Sequence, residues 1–368
     1  MATYHENVGS VIEGVAKFFE RHFTEIVLTG PELKPSEIQK DPVMLVSTHR
    51  SHLDYFLVGQ RFFKMGFKNL RFAAGSNLTN LPYVGTRFKN FGAFAVERDT
   101  GFERNYVRNL CNSVVSMMQG GEAIMVFPEG GRSYSGKMLE IRAGILGASV
   151  LTRSRNPHID VQLIPIAVSY ECAPDLPWFE LLLKGKQLRK RDRNFIQRII
   201  GSIYYFGADI CAFVPMLQKW LPQKKRGKAY IDYGEPIKLS SIVDIEKNKA
   251  TQARDDFSAN RQSMQIVSDA IFEHLYKLYR VLPQHVVAVI VASEGKISVD
   301  NALKQCDAIL KKVHDDGRNT KLLDSMDNEK IIQEGIEKLA AIKALDYKAG
   351  ILSIRSQIMI DYFAATIR

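Results

Sequence analysis

VSTHRSHLDYFLVG, residues 46–59, sets two histidines, an arginine, a serine and an aspartate between two apolar runs. The residues VMLVST (43–48) have the unbroken apolar character of a buried strand. LDYFLVGQRFF (53–63) has the spacing of a helix. Ser51 followed by Asp54 fits a variant of the capping box that opens a helix. His49 then lies just before the helix and Asp54 within its first turns. The chain can fold back and bring the Asp54 carboxylate to one imidazole nitrogen of His49. A carboxylate there fixes the tautomer and stabilises the imidazolium formed when the other nitrogen takes a proton. With an ordinary histidine pKa of about 6.5, such a pair suits a general base. The same spacing also suits a capped helix whose polar residues only satisfy backbone groups, and spacing alone does not choose between the two.

Outward from this corner, apolar runs alternate with helical patterns. LRFAAG (70–75), AFAVE (93–97), AIMVF (123–127), VQLIPIAVSY (161–170) and AYIDYGEP (229–236) read as strands, with helices over 101–119 and 142–153. The expected class is α/β, a central mixed sheet flanked by helices. Residues 10–28 read as an N-terminal amphipathic helix carrying Val11, Val15, Phe18, Phe19 and Phe23. After about residue 240 the pattern becomes helical. Met264, Val267, Ile271, Leu275, Leu278 and Leu282 step by three and four, and Pro283 suits the first turn of the next helix. Further helices are expected over 298–315 and 328–345. The expected division is an N-terminal helix over 1–30, a main domain over 31–240 and a helical region over 241–368.

The chain of 368 residues can bury a full core, and 46% hydrophobic residues suit a globular protein. A net charge of +10 favours an anionic partner: a phosphate-bearing substrate, an anionic membrane or a nucleic acid. Basic residues interleaved with stacking aromatics are not evident, so nucleic acid is not expected. The four cysteines, Cys111, Cys172, Cys211 and Cys306, form no CxxC pair, which fits a reducing compartment without a disulfide framework. The N-terminus lacks the pattern of a secretory signal. His5, His22, His158, His274, His285 and His314 are scattered, so no metal site is expected.

Residues 194–222 are long and apolar, and KGKQLRKRDR (184–193) and QKKRGK (223–228) bracket them. A bilayer span needs ~20 apolar residues. Arg198, Asp209 and Pro215 argue against a simple span. The basic brackets favour an element lying in the interface of an anionic membrane, so 184–228 is the candidate docking segment.

HRSHLDY has the H-x4-D form of the glycerolipid acyltransferases. It most resembles the branch of glycerol-3-phosphate and dihydroxyacetone-phosphate acyltransferases, in which Arg follows the His and an aromatic follows the Asp. Three further blocks resemble the family's in order: GAFAVERD (92–99), FPEGGRSYSGK (127–137) and LIPIAV (163–168). The resemblance covers roughly 40–240. It implies His49 as general base with Asp54 as its orienting acid. It places Arg98 at the arginine that binds the acceptor phosphate, as bidentate guanidinium donors suit a phosphate dianion. Glu97 before it is more typical of lysophosphatidate acyltransferases. Taken alone, the segment would be a surface strand ending in a charge pair.

The third block implies a substrate site at Glu129, Gly130, Gly131, Arg132 and Ser133. The glycines let backbone N–H groups approach an anion, and Glu129 would accept from a glycerol hydroxyl or hold Arg132. Lys137 and Arg142 would widen the cationic pocket. Pro165 marks the block that shapes the acyl-donor pocket, and a proline there suits an edge strand or a strand end.

The resemblance therefore implies acyl transfer to the 1-hydroxyl of glycerol-3-phosphate from acyl-CoA or acyl carrier protein, without metal or redox cofactor, at the cytoplasmic face of a membrane. The alternatives are acylation of lysophosphatidate or dihydroxyacetone phosphate, or a lipid-binding or membrane-tethering protein of the same fold. An oriented base argues against pure binding.

Overall fold

Val43, Met44, Leu45 and Val46 are all buried because their strand, β2 (Val43–Ser47), lies inside a sheet covered on both faces. The computed structural model describes residues 16, 17, 19–51, 53–75, 86, 89, 92–97, 104–176, 196, 200 and 226–367. Arg98, residues 1–15 and nearly all of the apolar segment 194–222 lie outside the described residues. The other strands of the sheet are β1 (Glu25–Thr29), β3 (Leu70–Gly75), β4 (Ala93–Val96), β5 (Ala123–Val126), β6 (Gln162–Tyr170), β7 (Lys228–Tyr233) and β8 (Ile237–Lys238). Their order is β1-β7-β6-β2-β5-β3-β4, with β8 also paired to β6. β6 is antiparallel to β7 and β8, and the remaining pairs are parallel. The sheet is mixed and flanked by helices, as the alternating pattern implies.

Helices α1 (Asp54–Lys64), α2 (Arg104–Gln119), α3 (Ala143–Arg155) and α4 (Arg261–Leu278) cover the sheet. Successive strand residues serve opposite faces. Val43, Leu45, Ala123 and Met125 pack with Phe56 and Phe62 of α1 on one side. Met44, Val46, Ile124 and Val126 pack with Cys111 and Val115 of α2, Leu151 of α3 and Val267 and Ile271 of α4 on the other. The stepping pattern that begins at Met264 thus closes the second face of the sheet, so its packing runs on past residue 240.

The rest of the chain forms α5 (Pro283–Glu294), β9 (Lys296–Ser298), α6 (Val299–Asp315), α7 (Asn328–Ala341), β10 (Leu345–Lys348), β11 (Ile351–Ile354) and α8 (Gln357–Ala364). This region is helical, as expected, and also carries a small antiparallel sheet in the order β10-β11-β9. Strands of three and four residues are too short to leave a period-two signal, so the sequence reading missed them.

Two expectations need correction. The helix read over 10–28 ends by residue 22, and Glu25–Thr29 forms β1, parallel to β7. Ile26 and Val27 are β-branched, and their strand extends the sheet alongside β7. Pro165 is at neither an edge nor a strand end. It pairs with Val46 inside the sheet, and its carbonyl accepts the Gly234 N–H at 3.0 Å. N–H and C=O of one strand residue point the same way. Its missing donor therefore faces the gap where β7 has ended at Tyr233 and β8 has not begun.

Buried polar contacts tie the C-terminal region to the sheet. Arg280 donates through Nε to Asp232 Oδ2 at 3.0 Å, and a second guanidinium N–H reaches Oδ1 at 2.5 Å. Removing one partner of a buried pair strands the other charge. Arg280→Ala is expected to cost about 3–5 kcal/mol in urea unfolding, and an unchanged midpoint would contradict the pair. His285 accepts the Leu282 N–H at the start of α5. Burial, with Arg318 and Arg50 nearby, pushes its imidazole down to about 3. Because the folded state holds it neutral, its contribution is complete above the ordinary histidine pKa and is lost as pH falls from there towards 3. Stability should fall by up to about 1.4 kcal/mol per pH unit in that window from this group, and His285→Gln should flatten the slope.

Candidate active site

β2 ends at Ser47 and α1 begins at Asp54, and the turn between them places the His–Asp pair at the carboxyl end of the parallel strands, where open α/β sheets bind ligands. The Asp54 carboxylate is fully buried. Its Oδ2 lies 3.0 Å from His49 Nδ1 and accepts the backbone N–H groups of Arg50 at 2.6 Å and Ser51 at 2.8 Å. Ser51 Oγ accepts the Leu53 N–H in return. This is the expected capping geometry with the histidine added to it. The capping bonds and the His49–Asp54 contact are therefore both present in one arrangement.

With Nδ1 held by Asp54, Nε2 is the nitrogen left on the cavity side. The imidazole packs against Phe127 and Tyr55, ring centroids 4.5 and 5.2 Å away, and the Tyr55 hydroxyl lies 3.4 Å from Nε2. A cavity of about 350 Å³ opens beside it. Ala73, Ala74, Val96, Leu110, Phe127 and Leu146 make much of its wall apolar. Gly130, Gly131 and Arg142 supply backbone amides and a cation. The ends of β3, β4 and β5 all contribute, so the cavity belongs to the sheet rather than to one loop.

The loop after β5 is locked to the histidine corner. Glu129 accepts the His49 N–H at 2.9 Å through Oε1. Its Oε2 accepts the Leu139 N–H at 2.9 Å and an Arg50 guanidinium N–H at 3.4 Å. Glu129 thus holds Arg50, not Arg132. Burial disfavours charge on Arg50, but Glu129, Tyr279, Tyr362 and Asp54 together outweigh it and hold the pKa above the ordinary value, and the guanidinium also lies over the Tyr279 ring. Arg132 is buried and donates to Asp175 at 2.7 Å, and Asp175 also accepts from Ser51 Oγ at 3.2 Å. Ser133 donates to the Lys137 carbonyl at 2.5 Å, and its N–H reaches the His49 carbonyl at 3.3 Å.

The structure therefore brings His49, Gly130 and Gly131 to the cavity, together with Arg142, with Asp54 buried behind His49. Glu129, Arg132, Ser133 and Pro165 do not line it. Arg98 lies outside the described residues. Gly130 has φ +68, a conformation in which side chains are strained, so the turn requires its glycine. Gly136, with φ +82, is needed for a different reason: an added Cβ would meet the Tyr362 carbonyl of α8. The C-terminal region thus presses directly on this loop. Asp175 and Tyr170, which also reach the corner, left no signal in the sequence, because they lie more than a hundred residues from Ser51 and Asp54, the corner residues they bond.

These features define an α/β domain with a His–Asp pair and a largely apolar cavity at the carboxyl end of its sheet. Residues 25–169 match the family described as Acyltransferase. The glycerol-3-phosphate acyltransferase of Pseudomonas syringae pv. tomato is 26% identical over 265 residues, 70% of this chain and 29% of that protein. That of Pseudomonas fluorescens is 24% identical over 351 residues, 91% of this chain and 40% of that protein. The chain thus spans well under half the length of these curated relatives. A crystal structure of the 1-acyl-sn-glycerophosphate acyltransferase of Thermotoga maritima aligns with a TM-score of 0.38 at 17% identity, over 74% of this chain and 83% of that one. The chain is thus similar, over this matched region and its flanks, to glycerol-3-phosphate acyltransferases.

Arg132→Ala should remove the buried Arg132–Asp175 ion pair and cost about 3–5 kcal/mol. A thermal melt indistinguishable from wild type would mean that Arg132 is not structural.

Proposed function

We propose that the chain transfers a fatty acyl group from a thioester, acyl-CoA or acyl carrier protein, to the 1-hydroxyl of glycerol-3-phosphate. The observation that carries this reading is the His49–Asp54 pair, Nδ1 to Oδ2 at 3.0 Å, beside a largely apolar cavity with a cation at its wall. Nε2 takes the proton of the acceptor hydroxyl as its oxygen attacks the thioester carbonyl carbon. Asp54 stabilises the imidazolium that forms. The tetrahedral intermediate collapses with cleavage of the C–S bond, and the thiolate leaves with the proton from Nε2. The reaction balances without a covalent acyl-enzyme, metal or redox group.

The amides of Arg50 and Ser51 are taken by Asp54, so they do not meet the oxyanion. The backbone of Gly130 and Gly131 and the guanidinium of Arg142 are the groups at the cavity suited to phosphate or oxyanion. Arg98 joins them by its place in the family motif. Glu129, Arg132 and Ser133 serve by holding the loop that presents the glycines. Pro165 acts on the acyl-donor side only through the sheet.

Among the described residues no helix is long and apolar enough to cross a membrane. An amphipathic donor and product suit docking at the cytoplasmic surface of an anionic membrane, and the basic brackets 184–193 and 223–228 suit its headgroups. Replacing Lys190, Arg191, Lys224 and Lys225 by Glu should weaken binding to anionic vesicles, and unchanged binding would remove these residues from the docking surface.

The deciding experiment offers glycerol-3-phosphate, dihydroxyacetone phosphate and lysophosphatidate as competing acceptors, with long-chain acyl-CoA and acyl carrier protein thioesters as donors. Transfer to glycerol-3-phosphate is expected, about 10²–10⁴-fold slower in His49→Ala. Arg142→Ala should chiefly raise the acceptor KM. Transfer only to lysophosphatidate would give Glu97 the greater weight. The absence of transfer in vesicles and in detergent would favour a lipid-binding role.

A further inference from the structure

Among the described residues, Asp54 Oδ2 receives three donors, all from its own segment. Oδ1 is reached from β6, the strand next to β2. The Tyr170 hydroxyl, at the end of β6, donates to it at 2.6 Å. Tyr170 is itself buried, and its ring stacks on Phe23 with centroids 5.6 Å apart. Its position is held from behind by Gln284 of α5, whose side-chain amide donates to the carbonyls of Tyr170 at 3.5 Å and Glu171 at 3.3 Å. Packing alone needs no hydroxyl at this place, since a phenylalanine would fill the same volume.

We propose that Tyr170 is a positioning residue for the His49–Asp54 pair, fixing the rotation of the Asp54 carboxylate and setting the basicity of His49 through it. The proposal deepens the acyl-transfer reading and rests on it for its kinetic part. A carboxylate held through one oxygen only can swing about its χ2. With Tyr170 on Oδ1, Oδ2 stays directed at Nδ1. The hydrogen bond also spreads the carboxylate charge, so less of it is available to stabilise an imidazolium. Burial, and then Asp54 itself, hold the Tyr170 phenol well above its ordinary pKa, so it stays a donor at any working pH. Arg50 and Glu129 from the neighbouring loops, Asp175 beyond β6, and Tyr279 and Tyr362 from the C-terminal region are further titratable groups around the pair. Tyr170 acts on Asp54 by direct contact from β6.

The test compares wild type with Tyr170→Phe and with 3,5-difluorotyrosine at 170, a stronger donor of nearly the same shape. Phe23→Leu, which loosens the ring stack and leaves the hydroxyl in place, is the packing control. In acyl transfer, Tyr170→Phe should lower kcat about 10-fold or more with little change in acceptor KM, the loss expected for one hydrogen bond to a charged group. The acid limb of its pH profile should move up by about one unit. Difluorotyrosine should move it down, and Phe23→Leu should lower stability without moving it. The second readout needs no activity. With ring-¹⁵N histidine, NMR of His49, assigned by its loss in His49→Ala, should show the Nδ1–H tautomer in wild type and the same opposed shifts in the two variants. Identical titration of His49 in all four proteins would overturn the proposal. Opposed titration shifts in a protein without acyl transfer would uphold the positioning and sink only the proposed reaction.

Discussion

The Asp54 carboxylate is buried, and the groups that satisfy it come from parts of the chain far apart in sequence that meet on neighbouring strands. Its own turn supplies two backbone amides and the His49 ring, and β6, more than a hundred residues later, supplies the Tyr170 hydroxyl. An ionised group buried without partners is costly, and here each oxygen has a donor. That requirement fixes where β2 must end, how α1 must start and which residue of β6 must face the corner. The geometry of the His49–Asp54 pair and the stability of the corner are in this sense one arrangement.

Around it the fold adds a second, outer set of polar contacts. Glu129 ties the glycine loop to His49 and Arg50, and Arg132 and Ser51 share Asp175. The C-terminal region closes behind these. Arg280 is paired with Asp232 on β7, Gln284 touches the end of β6, and Gly136 lies too close to α8 for any side chain. A helical region that the sequence leaves without a role thus becomes the back wall of the site. The amphipathic pattern from Met264 is part of the sheet's second core rather than of a separate body.

The residues that face the cavity and those that hold it come from the same motif. In FPEGGRS, the two glycines reach the cavity, while Glu129, Arg132 and Ser133 turn into the protein. A sequence block records that these residues go together, without recording which way each side chain points. Arg142, at the N-terminus of α3, stands at the cavity wall because the Arg142 N–H is bound to the Pro128 carbonyl at 3.0 Å, which folds the far end of the loop back on its start.

Local order determined what was legible in the chain. The apolar run of β2, the helical spacing of α1 and the five-residue step from His49 to Asp54 are short-range properties, and they announced both the α/β alternation and the histidine pair. The family resemblance drew on the same short blocks. The direction of Arg132, the sheet-internal place of Pro165, the strand at 25–29 and the reach of Tyr170 and Asp175 to the corner were decided only by tertiary structure. Each depends on which strands become neighbours. Strand order is set by burying both faces of the sheet at once, a condition on the whole chain that no local window contains.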